Sequence, residues 1–184
     1  HASRGRGLEA LVAETARGGI LRNGLGFSSC DVSVVTNVYE DHMGLAGINS
    51  VEQMADVKSI LPLHTRPSGV TILNFDQPLV RDMARRSPAR AVFFSVEKPP
   101  TSVENCFFLR DDAIFRKRGT TCERVISADG IFLSHGGVVT FQLVNAMIAI
   151  AVIEALQAKL PVERASLERS LGEFGRVPDD LPRR

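Results

Sequence analysis

Glu14, His42 and Lys58 are the residues whose types and settings could do chemistry. Glu14 closes a short apolar run, Ala10 to Ala13, and is followed by Arg17-Gly18-Gly19 and Gly24-Leu25-Gly26. Read from composition, Leu8 to Thr15 is a strand that runs into a loop. That puts the Glu14 carboxylate at the carboxyl end of a parallel strand, where open α/β sheets bind their ligands. Asp41-His42 follows the next strand-like segment in the same kind of loop, so Glu14 and His42 could converge above adjacent strand ends and share a divalent cation. Each residue also has a plainer reading, as a solvated loop carboxylate and a surface histidine. Lys58 falls on one helix face with Val51, Met54 and Leu61. It is either a lysine that keeps its head in water, or one whose apolar setting leaves some neutral amine to react with carbon dioxide. The resulting carbamate would carry a negative charge and could bind magnesium. The glycines form no known phosphate loop: GxxxxGK[ST] is missing, and Gly24-Leu25-Gly26 lacks the third glycine of a dinucleotide fingerprint.

These residues depend on an alternation of strands and helices for their positions. Asp31 to Thr36, DVSVVT, is β-branched and nearly continuous, as in a strand covered on both faces. A polar loop spans Asn37 to Asn49. Ser50 and Gln53 make a capping-box pattern for a helix that runs to about Leu61, before Pro62. Gly69 to Leu73 reads as a strand and Pro78 to Arg86 as a helix, so the order implies a parallel α/β sheet. Short runs at Ala91–Ser95, Cys106–Leu109, Ala113–Phe115 and Gly130–Leu133 imply an attached antiparallel subregion. Phe141 to Ala158 is apolar almost all round, as in a helix buried against a sheet. Pro161 breaks it, and Val162 to Phe174 is a more charged amphipathic helix ending at Gly175.

Composition narrows the function classes. The chain has 184 residues, 44% of them hydrophobic, enough for one substantial core. A formal charge of +1, scattered arginines, one tyrosine and no tryptophan argue against nucleic acid as a partner. Cys30, Cys106 and Cys122 have neither CxxC spacing nor an even count, which fits a reducing cytoplasm better than a disulfide framework. No charged leader with an apolar run follows His1, and Ala146 to Ile153 is too short to span a bilayer. Both ends read as cut, so the expectation is a fragment of a longer chain.

ETARGGILRNGLGF at Glu14–Phe27, CDVSVVTNVYEDHMGLAGINSVEQMADVK at Cys30–Lys58, TILNFDQPLV at Thr71–Val80 and HGGVVTFQLVNAMIAIA at His135–Ala151 closely resemble, in order, the Mur-ligase-like domain of cyanophycin synthetases. The resemblance implies an α/β Mur-ligase central domain: a mostly parallel sheet flanked by helices, with a small antiparallel subregion. It also implies an ATP- and magnesium-dependent amide ligase, in which ATP phosphorylates a carboxylate and an incoming amine attacks the acyl phosphate. By the same resemblance Glu14, His42 and Lys58, the last as a carbamoyl-lysine, fall on magnesium-ligand positions, and Asn145 on a nucleotide-contacting asparagine. Asn37, Asn74 and Asp76 fall on site neighbours near strand ends; Arg17 and Arg22 receive no defined role.

The substrates so implied are ATP, arginine and the side-chain carboxylates of a poly-aspartate, or cyanophycin, chain. An ATP-grasp domain would lie upstream in the same chain, and the known synthetases imply a homo-oligomer. The sequence departs from the family pattern in several places. The preceding GxxGKT loop and a following C-terminal domain are missing, the NADDP-like segment has Asp76-Gln77, and the PGRF-like end reads Pro182-Arg183-Arg184. The expectation is therefore a partial central domain that does not turn over ATP alone. Two other readings stay open: a peptidoglycan-precursor or folylpolyglutamate ligase, and a non-catalytic scaffold that kept the fold.

Overall fold

A computed structural model describes residues 9–40, 44, 47–96 and 102–175. Its centre is a single six-stranded sheet in which every strand lies beside its sequence neighbours, from β1 (Cys30–Val35) through β2 (Thr65–Asn74), β3 (Arg90–Ser95), β4 (Asn105–Arg110) and β5 (Ala113–Arg118) to β6 (Thr121–Ser127). The first four strands are parallel, and β5 and β6 are antiparallel. The mostly parallel α/β architecture with an antiparallel margin is thus present. The margin is narrower than the sequence implies, because Ala91–Ser95 belongs to the parallel strand β3 and antiparallel pairing begins only after β4. There the chain reverses at Asp111-Asp112, both left-handed with φ of 48° and 52°.

Strand residues alternate between two cores, as the two-residue period requires. Val70, Ile72, Val92, Phe94 and Phe107 face the long helix α5 (Thr140–Leu156), which contributes Leu143, Ala146, Met147, Ile150 and Ala151. On the other face Val35 and Leu73 meet Met54 and Ala55 of α2 (Val51–Lys58) and Val80 of α4 (Pro78–Asp82). Helix α5 is not enclosed, however: Phe141, Asn145 and Ala149, spaced four apart, form a solvent-facing stripe. Its apolar composition reflects one deep contact on the sheet, since the tertiary environment and not composition decides which face is covered.

Local signals explain several element ends. Ser50 caps α2, its hydroxyl accepting from Gln53 N at 3.2 Å, while the Gln53 side chain accepts from Asn49 N at 2.7 Å. The cap thus satisfies Gln53 N, one of the four orphan donors of the helix start, and the return bond falls one residue before the cap. The helix does not simply stop before Pro62. It breaks at Ser59 and resumes as α3 (Ile60–Leu63), with Pro62 within the first turn, where a missing N–H is tolerated. Pro78 opens α4 and a 3-10 turn, Met83–Arg86, continues it.

Two expected strands are absent. Glu9 to Ala16 is irregular, with Leu11 63% and Val12 93% exposed, because a four-residue apolar run gains nothing without a neighbouring strand to take its hydrogen bonds. The glycine-rich continuation is instead a short helix, α1 (Arg17–Asn23), that buries Ile20 and ends at Gly24 with φ +70°. Gly130–Leu133 forms 3-10 turns in place of a strand, and the sixth strand is the charged, largely exposed β6, whose apolar signal is weak because it is an edge. The final helix, α6 (Arg164–Glu173), lays Leu167 and Leu171 against the core and has Gly175 just beyond it.

One charged pair reaches into the α5 side of the sheet. Arg116 of β5, 1% exposed, donates to both oxygens of Glu154 on α5, through Nε at 3.1 and 3.0 Å and Nη2 at 2.8 Å. It also donates to the carbonyls of Cys106 and Lys117 and lies 4.6 Å from the centre of the Phe107 ring. Arg118 Nη2 reaches the second Glu154 oxygen at 2.8 Å. Burial alone would raise the Glu154 carboxyl, but the hydrogen bonds and charges of Arg116 and then Arg118 outweigh it and hold it below its ordinary value.

Candidate functional site

The carboxyl ends of β1, β2 and β3 carry the largest group of expected site residues. Asn37 lies just past β1, Asn74 is the last residue of β2, and Asp76 follows in the turn to α4. Asn74 Nδ2 donates to Thr36 O at 3.0 Å and to Asn37 Oδ1 at 3.3 Å, while Asn74 Oδ1 accepts from Asp76 N at 2.9 Å. The Asp76 carboxylate spans to the end of β3, accepting from Ser95 Oγ at 2.5 Å and from Val96 N at 2.7 Å. A second tie links the same loops: Gln77 Oε1 accepts from Val38 N at 2.8 Å.

Lys58, the last residue of α2, joins this rim from the side. It is half-buried, and its Nζ donates to the Asn37 carbonyl at 2.6 Å. The Lys58 amine thus leans on the β1 loop from a half-buried position. Tyr39, 62% exposed, also leans on Asn37, its hydroxyl donating to Oδ1 at 3.3 Å. Four expected residues, Asn37, Lys58, Asn74 and Asp76, are therefore brought together through one hydrogen-bonded network.

Glu14 and Asn145 have different settings. Glu14 is exposed, in the irregular segment before α1, so the expected placement at a strand end is not met. The strand that would have carried it has no partner beside it among the described residues. His42 lies outside the described residues. Asn145 sits in the second turn of α5, exposed, with Nδ2 donating to Gln142 Oε1 at 3.2 Å. Helix α5 runs against the parallel strands. Lys159, beyond its carboxyl end, pairs with Asp31 at the start of β1 at 2.6 Å, and the Lys159 hydrogen bond, opposed by burial and aided by Arg66, lowers the Asp31 carboxyl. The amino end of α5, with Asn145, therefore points toward the carboxyl ends of the strands, but on the sheet face opposite α2 and α4.

Among the described residues no three His, Cys, Asp or Glu side chains converge on one point. Magnesium does not need such a cage: it is held by one or two carboxylates, with waters and substrate phosphates completing its shell. The donor chemistry of Glu14 suits that role, and a carbamate on Lys58 would add a second anionic oxygen donor beside the rim.

Ser95, Tyr39 and Gln77 were not singled out from the sequence for this rim. Asn37 and Asn74 are implied as site neighbours by the family resemblance; a polar residue closing an apolar strand at its carboxyl end, as in Ala91-Val92-Phe93-Phe94-Ser95, is the signal that points to Ser95.

Known proteins match this chain along most of its length. The family model of the Mur ligase middle domain matches residues 2–153. A cyanophycin synthetase of Synechocystis sp. is 40% identical over 151 residues, covering 77% of this chain and 17% of that protein. A cyanophycin synthetase of Nostoc sp. is 33% identical over 181 residues, covering 91% of this chain and 20% of that protein. The chain thus spans about a fifth or less of the length of these relatives. A UDP-N-acetylmuramoylalanine–D-glutamate ligase of Symbiobacterium thermophilum is 30% identical over 88 residues, covering 48% of this chain. A solved UDP-N-acetylmuramoyl-L-alanyl-D-glutamate–2,6-diaminopimelate ligase superposes with a TM-score of 0.50 at 16% identity over 89% of this chain and 32% of that one, a likeness of fold alone. With a middle-domain match over residues 2–153 and a parallel sheet that carries polar residues at its carboxyl ends, the chain belongs to the Mur ligase middle domain family.

Proposed function

We propose that this chain is the central, nucleotide-handling domain of an ATP-dependent amide ligase of the cyanophycin-synthetase type, which joins arginine to the side-chain carboxylate of a poly-aspartate chain. The observation that carries the reading is the match to a cyanophycin synthetase across 91% of the chain, against 48% for the D-glutamate ligase. In this chemistry the substrate carboxylate attacks the γ-phosphorus of ATP, the bond to ADP breaks, and an acyl phosphate forms. The arginine amine then attacks the acyl carbon, loses a proton, and expels phosphate as the amide forms. Each step gains from positioned positive charge and hydrogen-bond donors around the transferring phosphoryl group.

The residues of this chain divide the work as follows. Lys58 and the Asn37–Asn74 pair form the floor of the site at the strand ends, and Asp76 fixes that floor to β3. Asn145 on α5 contacts the nucleotide. Glu14, His42 and Lys58 would hold magnesium, which would offset charge on the phosphates. Lys58 can do so as a carbamate, formed when its neutral amine adds to carbon dioxide and releases a proton. A carbamate keeps one N–H, so it could still donate to the Asn37 carbonyl. The phosphate loop and the C-terminal domain lie in other parts of the intact protein, so this domain by itself does not turn over ATP. An upstream ATP-grasp domain in the same chain supplies the aspartate backbone, the assembly is a homo-oligomer, and the enzyme works in the cytoplasm.

The test is arginine-dependent ATP hydrolysis by the intact protein that carries this domain, given an aspartate-chain primer and magnesium. Glu14→Ala and Lys58→Ala are each expected to lower turnover by at least about a hundredfold, the scale for loss of a group acting on the transferring phosphoryl. A folded intact protein that turns over with a muramoyl or folyl substrate and glutamate, and not with arginine, would move the assignment to another Mur-type ligase. A folded intact protein that hydrolyses no ATP with substrates of either kind would favour the scaffold reading.

A further inference from the structure

Ser95 is the last residue of β3 and 1% exposed, yet it carries a hydroxyl whose hydrogen bond goes to a carboxylate at the site's rim. We propose that Ser95 is a positioning residue of this rim, fixing Asp76 and through it the Asn74–Asn37 pair against which Lys58 is held. The inference rests on the reading of the strand-end rim as the ligase site.

The geometry has a direction. Ser95 Oγ donates to Asp76 Oδ1 at 2.5 Å and Val96 N to Oδ2 at 2.7 Å, so both carboxylate oxygens are anchored to the end of β3. With the side chain anchored, the Asp76 backbone N–H points at Asn74 Oδ1, 2.9 Å away. An N–H can only donate, so Asn74 must present its oxygen to Asp76 and its amide nitrogen to β1. That nitrogen then meets Thr36 O and Asn37 Oδ1, and the Asn37 carbonyl receives the Lys58 amine at 2.6 Å. Hydrogen bonds to an ionised group are stronger than neutral ones, so the Ser95 and Val96 bonds to Asp76, with the Lys58 bond to Asn37, are the strong links in the chain of contacts. Asn74, itself only 9% exposed, has no freedom to turn its amide while Asp76 stays in place.

The experiment uses the intact protein and compares Ser95→Ala, Ser95→Cys, Ser95→Thr, Asn37→Ala and Ser95→Ala/Asn37→Ala. Ser95→Ala is expected to lower kcat about tenfold, the effect of losing one hydrogen bond to a charged group, while KM for ATP stays within about twofold. Ser95→Cys fills the same space with a weak donor and is expected to behave as Ser95→Ala does, which decides the matter even if the alanine variant is poorly folded. Ser95→Thr, which keeps the hydroxyl, is expected to restore turnover. The double variant is expected to be no slower than Asn37→Ala, because both changes act along one path. Acetylation of Lys58 by acetic anhydride, read by mass spectrometry, is expected to rise in Ser95→Ala and in Asn37→Ala alike. Wild-type kcat in a folded Ser95→Ala or Ser95→Cys variant, multiplicative losses in the double variant, or unchanged Lys58 labelling would each overturn the proposal. If the unaltered protein hydrolyses no ATP with arginine, the functional reading fails, and the labelling still decides whether Ser95 governs the rim.

Discussion

Replacing Glu154 by Gln tests how the buried cation of the sheet is stabilised. The substitution keeps the size of the side chain but removes the charge that faces Arg116, whose guanidinium is 1% exposed. Breaking a buried ion pair from one side costs about 3–5 kcal/mol, because the remaining charge is left uncompensated. Three features of this pair lower the expectation. Glu154 is itself 27% exposed, Arg116 keeps the Cys106 and Lys117 carbonyls and the Phe107 ring, and a glutamine oxygen can still accept one bond. The expected loss is therefore about 2–4 kcal/mol, read as a fall in melting temperature of roughly 4–16 °C for a domain of this size.

Urea denaturation at neutral pH measures the loss directly, and repeating it in acid tests the cause. The Glu154 carboxyl titrates below its ordinary value of 4.5 in the folded state. Its contribution is therefore fully present above that value and disappears as the pH falls through the lowered folded value. The gap between wild type and Glu154→Gln should close in the same interval. A joint Arg116→Met/Glu154→Leu change should cost less than Glu154→Gln, since an apolar pair leaves no stranded charge. A loss under about 1 kcal/mol at neutral pH, or a gap that stays constant down to strong acid, would refute the electrostatic account.

Two further outcomes follow from the packing. Gly69→Ala places a Cβ 2.3 Å from the Asp31 carbonyl oxygen, backbone against backbone where β1 and β2 shift register, so a loss of about 2–4 kcal/mol in urea melts is expected; neutral behaviour would mean the strands can separate there without cost. Burial raises the Cys106 thiol above its ordinary value of 9.0, so a thiol reagent should label exposed Cys122 in the native protein and spare Cys106. The unfolded thiol loses its proton from about 9.0 upward while the folded one keeps it, so stability should fall as the pH rises above that value, and a Cys106→Ala variant should show a shallower alkaline decline.

Signals carried by neighbouring residues were legible in the chain itself. Ser50 with Gln53, Pro78 at a helix start, the β-branched run after Asp31 and the long apolar segment after Thr140 each specify an element through bonds or packing within a few positions, and each element is present. The family, too, was legible, because motif order survives in sequence, and with it the rim residues Asn37, Lys58, Asn74 and Asp76. Pairing was not legible. Ala10–Ala13 and β6 have exchanged roles relative to their apolarity: the first has strand composition and no partner among the described residues, while the second is charged and pairs with β5 as an edge. Strand formation is decided by a hydrogen-bonding neighbour distant in the chain, which composition does not report. The same holds for Ser95, Arg116 and Glu154. Their residue types were visible, but a hydroxyl aimed at Asp76 and a guanidinium seated on Glu154 exist only once β3 meets the turn after β2 and α5 crosses the sheet.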